Sequence, residues 1–235
     1  MPYINDRIVH DADSHTMELP DWYDEFGTER VKEVFKKRFA KSQVGAIESF
    51  EALPALHKKK EYRELNEKEL MLRKNYQALG AFDSKDRSEA VDLLGVATQL
   101  IFPTSPNVWL EDLEHRDDME FLYETASATN KSQIAFCNQD PRLLSVAYIP
   151  LADLKEAENA AKEALDLGAK ALLIPWACPK NHSTSHVELD KVWAQAQEAG
   201  VPVLFHVGVA DKVLPKAHKN NGLPAVADFH GGEEN

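Results

Sequence analysis

Arg7-Ile-Val-His-Asp-Ala-Asp-Ser-His-Thr-Met-Glu18 is the stretch on which the fold of this 235-residue chain turns. Ile8 and Val9 open what reads as a buried strand, which runs straight into Asp11, Asp13, His15 and Glu18. A core strand ending in acids and an imidazole points to the α/β class, where ligands and catalytic groups collect at the carboxyl ends of the strands. Asp13 and His15 are two residues apart and share one face of an extended chain. A hard oxygen and an imidazole nitrogen on one face make half of a divalent-metal site. The competing reading is a turn in which Asp13 or Ser14 caps the next helix. Asp11 shares the parity of the pair and is expected deeper, or as a hydrogen-bond partner of a ligand; His10 has the opposite parity and is expected to face the helices.

Outward from this stretch, one unit recurs. Residues 28–78 are dense in Lys, Arg and Glu, with Val31, Val34, Phe35 and Phe39, then Tyr62, Leu65, Leu70 and Leu72, at helical spacing. They read as two or three helices in an insertion or lid with a solvated charged face. Before them, Trp22 and Tyr23 read either as a pocket wall or as a packed pair on the rim. A helix capped by Asp83 or Ser84 ends at Gly95 and feeds a strand over 97–102. One long helix is expected over 111–136, then a strand over 144–150. A helix over 153–167 stops at Gly168 before a strand over 169–175. A helix over 189–199 stops at Gly200 before a strand over 201–207. Five apolar strands alternating with helices imply a parallel sheet, either doubly wound or curled into a β/α barrel. No Gly-x-Gly-x-x-Gly follows any strand and no Walker sequence occurs, which disfavours the nucleotide-binding version.

A formal net charge of −12 argues against non-specific nucleic-acid binding and against an anionic membrane surface. Cys137 and Cys178 lie in no metal-like spacing and read as free thiols of a reducing compartment. No signal peptide or membrane span is expected, so the protein is expected to be cytoplasmic. A homo-oligomer is compatible with the sequence.

His206 follows Val203-Leu-Phe205 at the carboxyl end of the fifth strand, on the rim where Asp13 and His15 are expected. Three ligand-type residues at strand ends strengthen the metal reading. Trp176, at the end of the fourth strand, is a candidate pocket wall. His230, in a Gly-flanked loop, is a candidate for substrate or metal. Glu18 either positions substrate, orients a ligand histidine, or opens a helix with a favourable charge. His182 and His186 read as a helix-entry loop capped by Ser185 or Asp190. His57, His115 and His218 read as surface residues.

Taken together, Asp11-Ala-Asp-Ser-His15 with Glu18, Gln99-Leu-Ile-Phe-Pro103, Asp140-Pro-Arg-Leu, Val146-Ala-Tyr-Ile-Pro-Leu151, Val201-Pro-Val-Leu-Phe-His-Val-Gly208, Asn220-Asn-Gly-Leu-Pro224 and Asp228-Phe-His-Gly-Gly232 resemble the amidohydrolase superfamily. The branch is that of the amidohydrolase-related proteins around aminocarboxymuconate-semialdehyde decarboxylase. The resemblance covers most of the chain outside the helical insertion. It implies a metal-dependent (β/α)8 TIM barrel, incomplete here, of which the first five βα units are visible. Asp13 stands where many members carry the first His of a His-x-His pair, and His206 matches the strand-five histidine. Metal ligands Asp13, His15 and His206 are then expected to hold a divalent ion, zinc first and manganese as the alternative. Glu18, Trp176 and His230 are the expected substrate contacts. The implied reaction is hydrolysis of a C–N or C–O bond, or non-oxidative decarboxylation of a small carboxylic acid. The histidine after strand six and the strand-eight aspartate base that the resemblance implies have no counterpart, so the chain reads as truncated. The alternatives are a truncated or degenerate, non-catalytic barrel fragment that needs a partner, and a metal-free α/β binding protein.

Overall fold

The computed structural model describes residues 2–41, 50–206 and 222. Five strands carry the architecture: β1 (His10–His15), β2 (Thr98–Phe102), β3 (Leu143–Tyr148), β4 (Ala171–Leu173) and β5 (Val203–Leu204). Every neighbouring pair is parallel, and the order across the sheet is the order along the chain. A doubly wound sheet reverses its strand order at a switch point. Here there is no reversal, so successive right-handed crossovers leave their helices on one side and the sheet curls away from them. On a flat sheet, β1 and β5 would stand four spacings apart, about 19 Å. Instead His206, two residues past β5, reaches Asp13 of β1 at 3.2 Å. That curl is the geometry of five consecutive units of a (β/α)8 barrel.

The helices are α1 (Glu29–Lys41), α2 (Leu53–His57), α3 (Lys60–Lys68), α4 (Ser84–Leu94), α5 (Ser105–Leu113), α6 (Met119–Cys137), α7 (Leu154–Asp166) and α8 (Asp190–Ala199). Their ends follow local chemistry. The Asp83 carboxylate accepts from the Lys85 and Asp86 amides to start α4, and Asp153 does the same for α7. Gly95 ends α4 at φ +75°, where a Cβ would sit 2.1 Å from the Ile4 carbonyl oxygen.

The strands alternate faces with a period of two. Ala147, Ile149, Leu172 and Ile174 pack against Ala157, Ala161 and Ala164 of α7 and Val192 and Ala196 of α8. Small residues at helical spacing let α7 lie close to the sheet. The opposite parity, Val146, Tyr148, Ala171 and Leu173, joins a second cluster with Tyr23, Val31, Phe35 and Trp109. The insertion helix α1 is therefore part of the core rather than a lid: Phe35 stacks on Trp109 and meets Tyr23 edge-on. Tyr23 is fully buried within this cluster.

Several sequence expectations are corrected. Ile8 is 82% exposed, so the first strand starts at His10. The single helix expected over 111–136 is two, α5 and α6, because Asp118 caps a new start by accepting from the Phe121 amide. Leu72, expected on a buried face, is exposed. His57, expected at the surface, is buried, with Nε2–H donating to the Tyr76 carbonyl at 2.9 Å. The fifth strand is shorter than expected, with two residues in the ladder.

Amide side chains on α6 fasten that helix to the sheet. Asn130 is buried; its Nδ2 donates to the Tyr148 carbonyl at 2.9 Å and its Oδ1 accepts from the Tyr148 amide at 2.8 Å. Gln133 Nε2 donates to the Ile101 carbonyl at 2.9 Å. Truncating Asn130 would strand two buried backbone groups, each costing about 1–3 kcal/mol. Asn130→Ala is expected to lose about 2–4 kcal/mol in denaturant unfolding; a loss under about 0.5 kcal/mol would mean that water replaces both bonds.

Candidate metal centre

The end of β1 is shaped by a register irregularity between Asp11 and Ser14 in its pairing with β2. Within it, Asp11 Oδ1 accepts the Asp13 amide at 3.1 Å and Asp11 Oδ2 accepts Gln99 Nε2 at 3.0 Å. Asp13 and His15 then lie side by side, with His15 Nε2 3.2 Å from Asp13 Oδ1. His206 Nε2 approaches the same Asp13 oxygen at 3.2 Å, and its ring meets His15 edge-on at 5.1 Å. Among the described residues, Asp13, His15 and His206 form the group whose ligand-type atoms fall within 4.8 Å of one another.

The hydrogen bonds around His15 fix which nitrogen is free. Thr104 Oγ1 donates to the Thr16 carbonyl at 2.7 Å, so its proton is committed there. The same oxygen lies 3.1 Å from His15 Nδ1 and must accept from Nδ1–H. A neutral His15 therefore turns the lone pair of Nε2 toward the Asp13 carboxylate, acceptor facing acceptor. Burial pushes the His15 pKa down; Asp13 opposes this, while His206 and Arg87 reinforce it. Burial works against the ionised Asp13, but the His206 and His15 imidazoles outweigh it and hold that carboxyl below its usual range. A cation between the three atoms would relieve the arrangement. Ligand atoms at about 2.05 Å from a metal stand about 3.3 Å apart in a tetrahedral site and about 2.9 Å at right angles in an octahedral one. The observed 3.2 Å spacing fits a divalent ion of either geometry.

Glu18 lies beneath this group and touches no open space. It is fully buried, and its carboxylate accepts from Thr16 Oγ1 at 2.8 Å, the Thr104 amide at 2.8 Å and the Ser105 amide at 2.9 Å. The expected substrate contact is thus replaced by an anchor: Glu18 fixes Thr104, and Thr104 fixes the His15 ring. Burial raises the Glu18 pKa against the pull of those three donors. Arg87 is a second anchor that the sequence did not reveal. Its guanidinium donates to Gly80 O at 2.7 Å, to Ser14 Oγ at 3.1 Å and to the His15 carbonyl, and burial lowers its pKa to about 10.

Trp176 is partly buried and is not among the residues lining the cleft beside Asp13 and His15; its amide donates to Glu111 Oε1 at 2.7 Å. His230 lies outside the described residues. His182 is buried with both ring nitrogens on carbonyls, those of Ser183 and Leu151. The cap of the turn before α8 is His186, whose Nδ1 accepts from the Glu188 amide, rather than Ser185 or Asp190.

The fold and the rim-borne site define a class, the parallel β/α barrel with ligands at the carboxyl ends of its strands. Known structures agree on the fold. The chain is similar to the crystal structure of an amidohydrolase from Mycobacterium avium subsp. paratuberculosis, with TM-score 0.62 and 19% identity over 89% of this chain and 60% of that one. It is also similar to 5-carboxyvanillate decarboxylase from Novosphingobium aromaticivorans, solved with manganese and 4-hydroxy-3-methoxy-5-nitrobenzoic acid, with TM-score 0.50 and 14% identity over 86% of this chain and 50% of that one. The chain thus spans between half and two-thirds of the length of these structures. No family model matches the chain, and no curated protein matches it by sequence.

Two acids at the α5 end of the rim also escaped sequence reasoning. Glu111 Oε1 holds the Trp176 amide and Glu114 Oε1 holds the Leu151 amide at 2.8 Å, so the pair supports the loops after β3 and β4. Their Oε2 atoms are buried, and the buried Tyr148 hydroxyl lies beside Glu111. Burial raises Glu111 to about 7 and Glu114 to about 8, the latter with help from the Glu111 charge. From about pH 4.5 to these values the folded chain binds more protons than the unfolded chain, so stability falls as pH rises across that window and levels off above it. Between pH 5 and 8, Glu114→Gln is expected to lose less stability than the parent by at least about 1.4 kcal/mol, the equivalent of one pKa unit. An identical pH slope in the two proteins, read from denaturant unfolding, would contradict the assignment.

Proposed function

We propose that this chain carries the metal-binding part of an amidohydrolase-type barrel enzyme, with one divalent ion held by Asp13, His15 and His206. The observation that carries the proposal is the meeting of one carboxylate oxygen and two imidazole nitrogens from the two ends of a five-stranded sheet. Imidazole donors suit zinc, and the structural neighbour that holds manganese makes that ion the alternative. Three donors among the described residues would leave coordination positions for a small molecule, the pattern of catalytic rather than closed structural sites. When bound, the ion supplies Lewis-acid chemistry suited to metal-dependent hydrolysis or to non-oxidative decarboxylation of a small carboxylic, amide or ester substrate.

The chain's own residues define the setting. Thr104 orients His15, and Arg87 holds the β1 carbonyl behind it. The site opens into a cleft of about 450 Å³, within the range of small-molecule sites. Asp13 is the open side of the centre and faces this cleft, while His15 and His206 are the more enclosed members.

Elemental analysis of the purified, monodisperse chain tests the reading. About one zinc or manganese per chain is expected, with most of it lost in His206→Ala. No metal in the parent, or metal that ignores His206, would contradict it.

A further inference from the structure

Besides the β1 end, the cleft is lined by the segment that closes the insertion, with Lys74 and Asn75 at the start of a turn and Ala78, Leu79 and Ala81 after it. We propose that Lys74 and Asn75 form a recognition arm for an anionic group of the substrate, opposite the ion. This deepens the metal-site reading above and rests on it.

Three observations single out this turn. First, Lys74 and Asn75 line the same cleft as Asp13 and His15, and both are exposed. Among the described residues, no carboxylate pairs with the Lys74 ammonium. By contrast, Arg87, the other cation lining the cleft, is buried and donates from each of its three nitrogens, to Gly80, Ser14 and His15. Lys74 is thus the cation of this cleft left open to a ligand.

Second, Asn75 is held at φ +53°, the non-glycine residue with positive φ among the described residues. An L-residue there is uncommon, and Asn is among the types that tolerate it. Glycine would meet the backbone requirement at lower cost. The Asn75 side chain lines the cleft and carries two amide N–H donors.

Third, the turn is fastened from behind, so the arm is preorganised. Tyr76 is buried; its hydroxyl donates to the Glu18 carbonyl at 3.0 Å, and its carbonyl accepts from His57. Its ring packs edge-on against Phe50 and Phe39. Asn66 Oδ1 accepts the Leu79 amide just beyond the turn. Gly80, at φ +73°, then folds so close to α4 that a Cβ would lie 2.3 Å from Arg87 Cα. The segment that carries Lys74 is thereby tied to the residue that holds the His15 carbonyl. An ammonium on one wall and a divalent ion on the other suit a small substrate that bears a carboxylate at a distance from its reacting group.

The test compares benzoate with its neutral isostere benzamide, titrated calorimetrically into the full zinc-loaded chain, with metal content measured on the same samples. The parent is expected to bind benzoate more tightly than benzamide. Lys74→Gln should weaken benzoate at least tenfold, leave benzamide within twofold and leave metal content unchanged; Lys74→Arg should retain most of the benzoate affinity. Asn75→Gly, which keeps the turn and deletes the amide, should weaken benzoate several-fold. Equal benzoate binding by the parent and Lys74→Gln, or a parent that does not prefer benzoate to benzamide, would overturn the proposal. A parent that takes up no metal yet binds benzoate in a Lys74-dependent way would instead refute the metal reading and leave the arm standing.

Discussion

Everything in this structure is arranged around one carboxylate oxygen. Asp13 Oδ1 sits 3.2 Å from an imidazole nitrogen on its own strand and 3.2 Å from another contributed from beyond β5. Those two segments lie at opposite ends of the sheet order, and only a strong curl brings them together. With the His15 tautomer set by Thr104, a neutral His15 turns an acceptor toward the Asp13 carboxylate, an arrangement that a positive species between the atoms would relieve. The fold brings these groups together, and the proposed divalent ion would relieve their mutual repulsion.

The polar interior exists to hold this geometry. Glu18 is completely enclosed, a placement that costs several kcal/mol for a charge without compensating hydrogen bonds. Its three donors supply the compensation, and two of them are the amides that begin the loop after β2. Thr104 therefore cannot move without exposing a buried acid, and His15 cannot turn without losing Thr104. Arg87 ties the same strand end to α4 and to Gly80. On the far side, Glu111 and Glu114 hold the loops after β3 and β4, and among the described residues no cation pairs with them. The rim is thus built on buried carboxylates: Glu18 accepts three hydrogen bonds, whereas Glu111 and Glu114 are pushed further toward their protonated forms.

What the sequence made legible follows the physics of exposure and backbone. Helix ends marked by Asp83, Asp153, Gly95 and Gly200 are local, and their capping or left-handed geometry is as the residues dictate. The alternation of helix and apolar strand carried the parallel sheet, and strand-end chemistry brought Asp13, His15 and His206 forward as neighbours. Buried polar groups were opaque, because composition assigns such residues to solvent. His57, His182, Glu111 and Glu114 all look like surface residues in one dimension. Each is buried to satisfy a backbone group supplied by a distant segment, which periodicity cannot report. Of the roles the sequence left open for Glu18, orienting a histidine through Thr104 is the one its contacts match, and two of its three partners lie 86 and 87 residues away in the chain. The α5–α6 break was missed because Asp118 resembles one more charge in a polar run until its capping bond is seen. Lys74 and Asn75 gave no sequence signal, since neither a free lysine nor a left-handed backbone is visible in a string of residue types.

The central claim is that a metal ion closes β1 onto the end of β5, and chelation during thermal unfolding tests it most directly. An ion bound at a hundred times its dissociation constant adds about 2.7 kcal/mol to stability, which for a chain of this size shifts Tm by about 5–10 °C. The parent protein is expected to melt earlier by such an amount after treatment with a chelator and to recover on adding zinc or manganese, whereas His206→Ala should melt at a temperature that the chelator does not change. A parent whose Tm ignores the chelator, or a His206→Ala variant that shifts as far as the parent, would contradict the account.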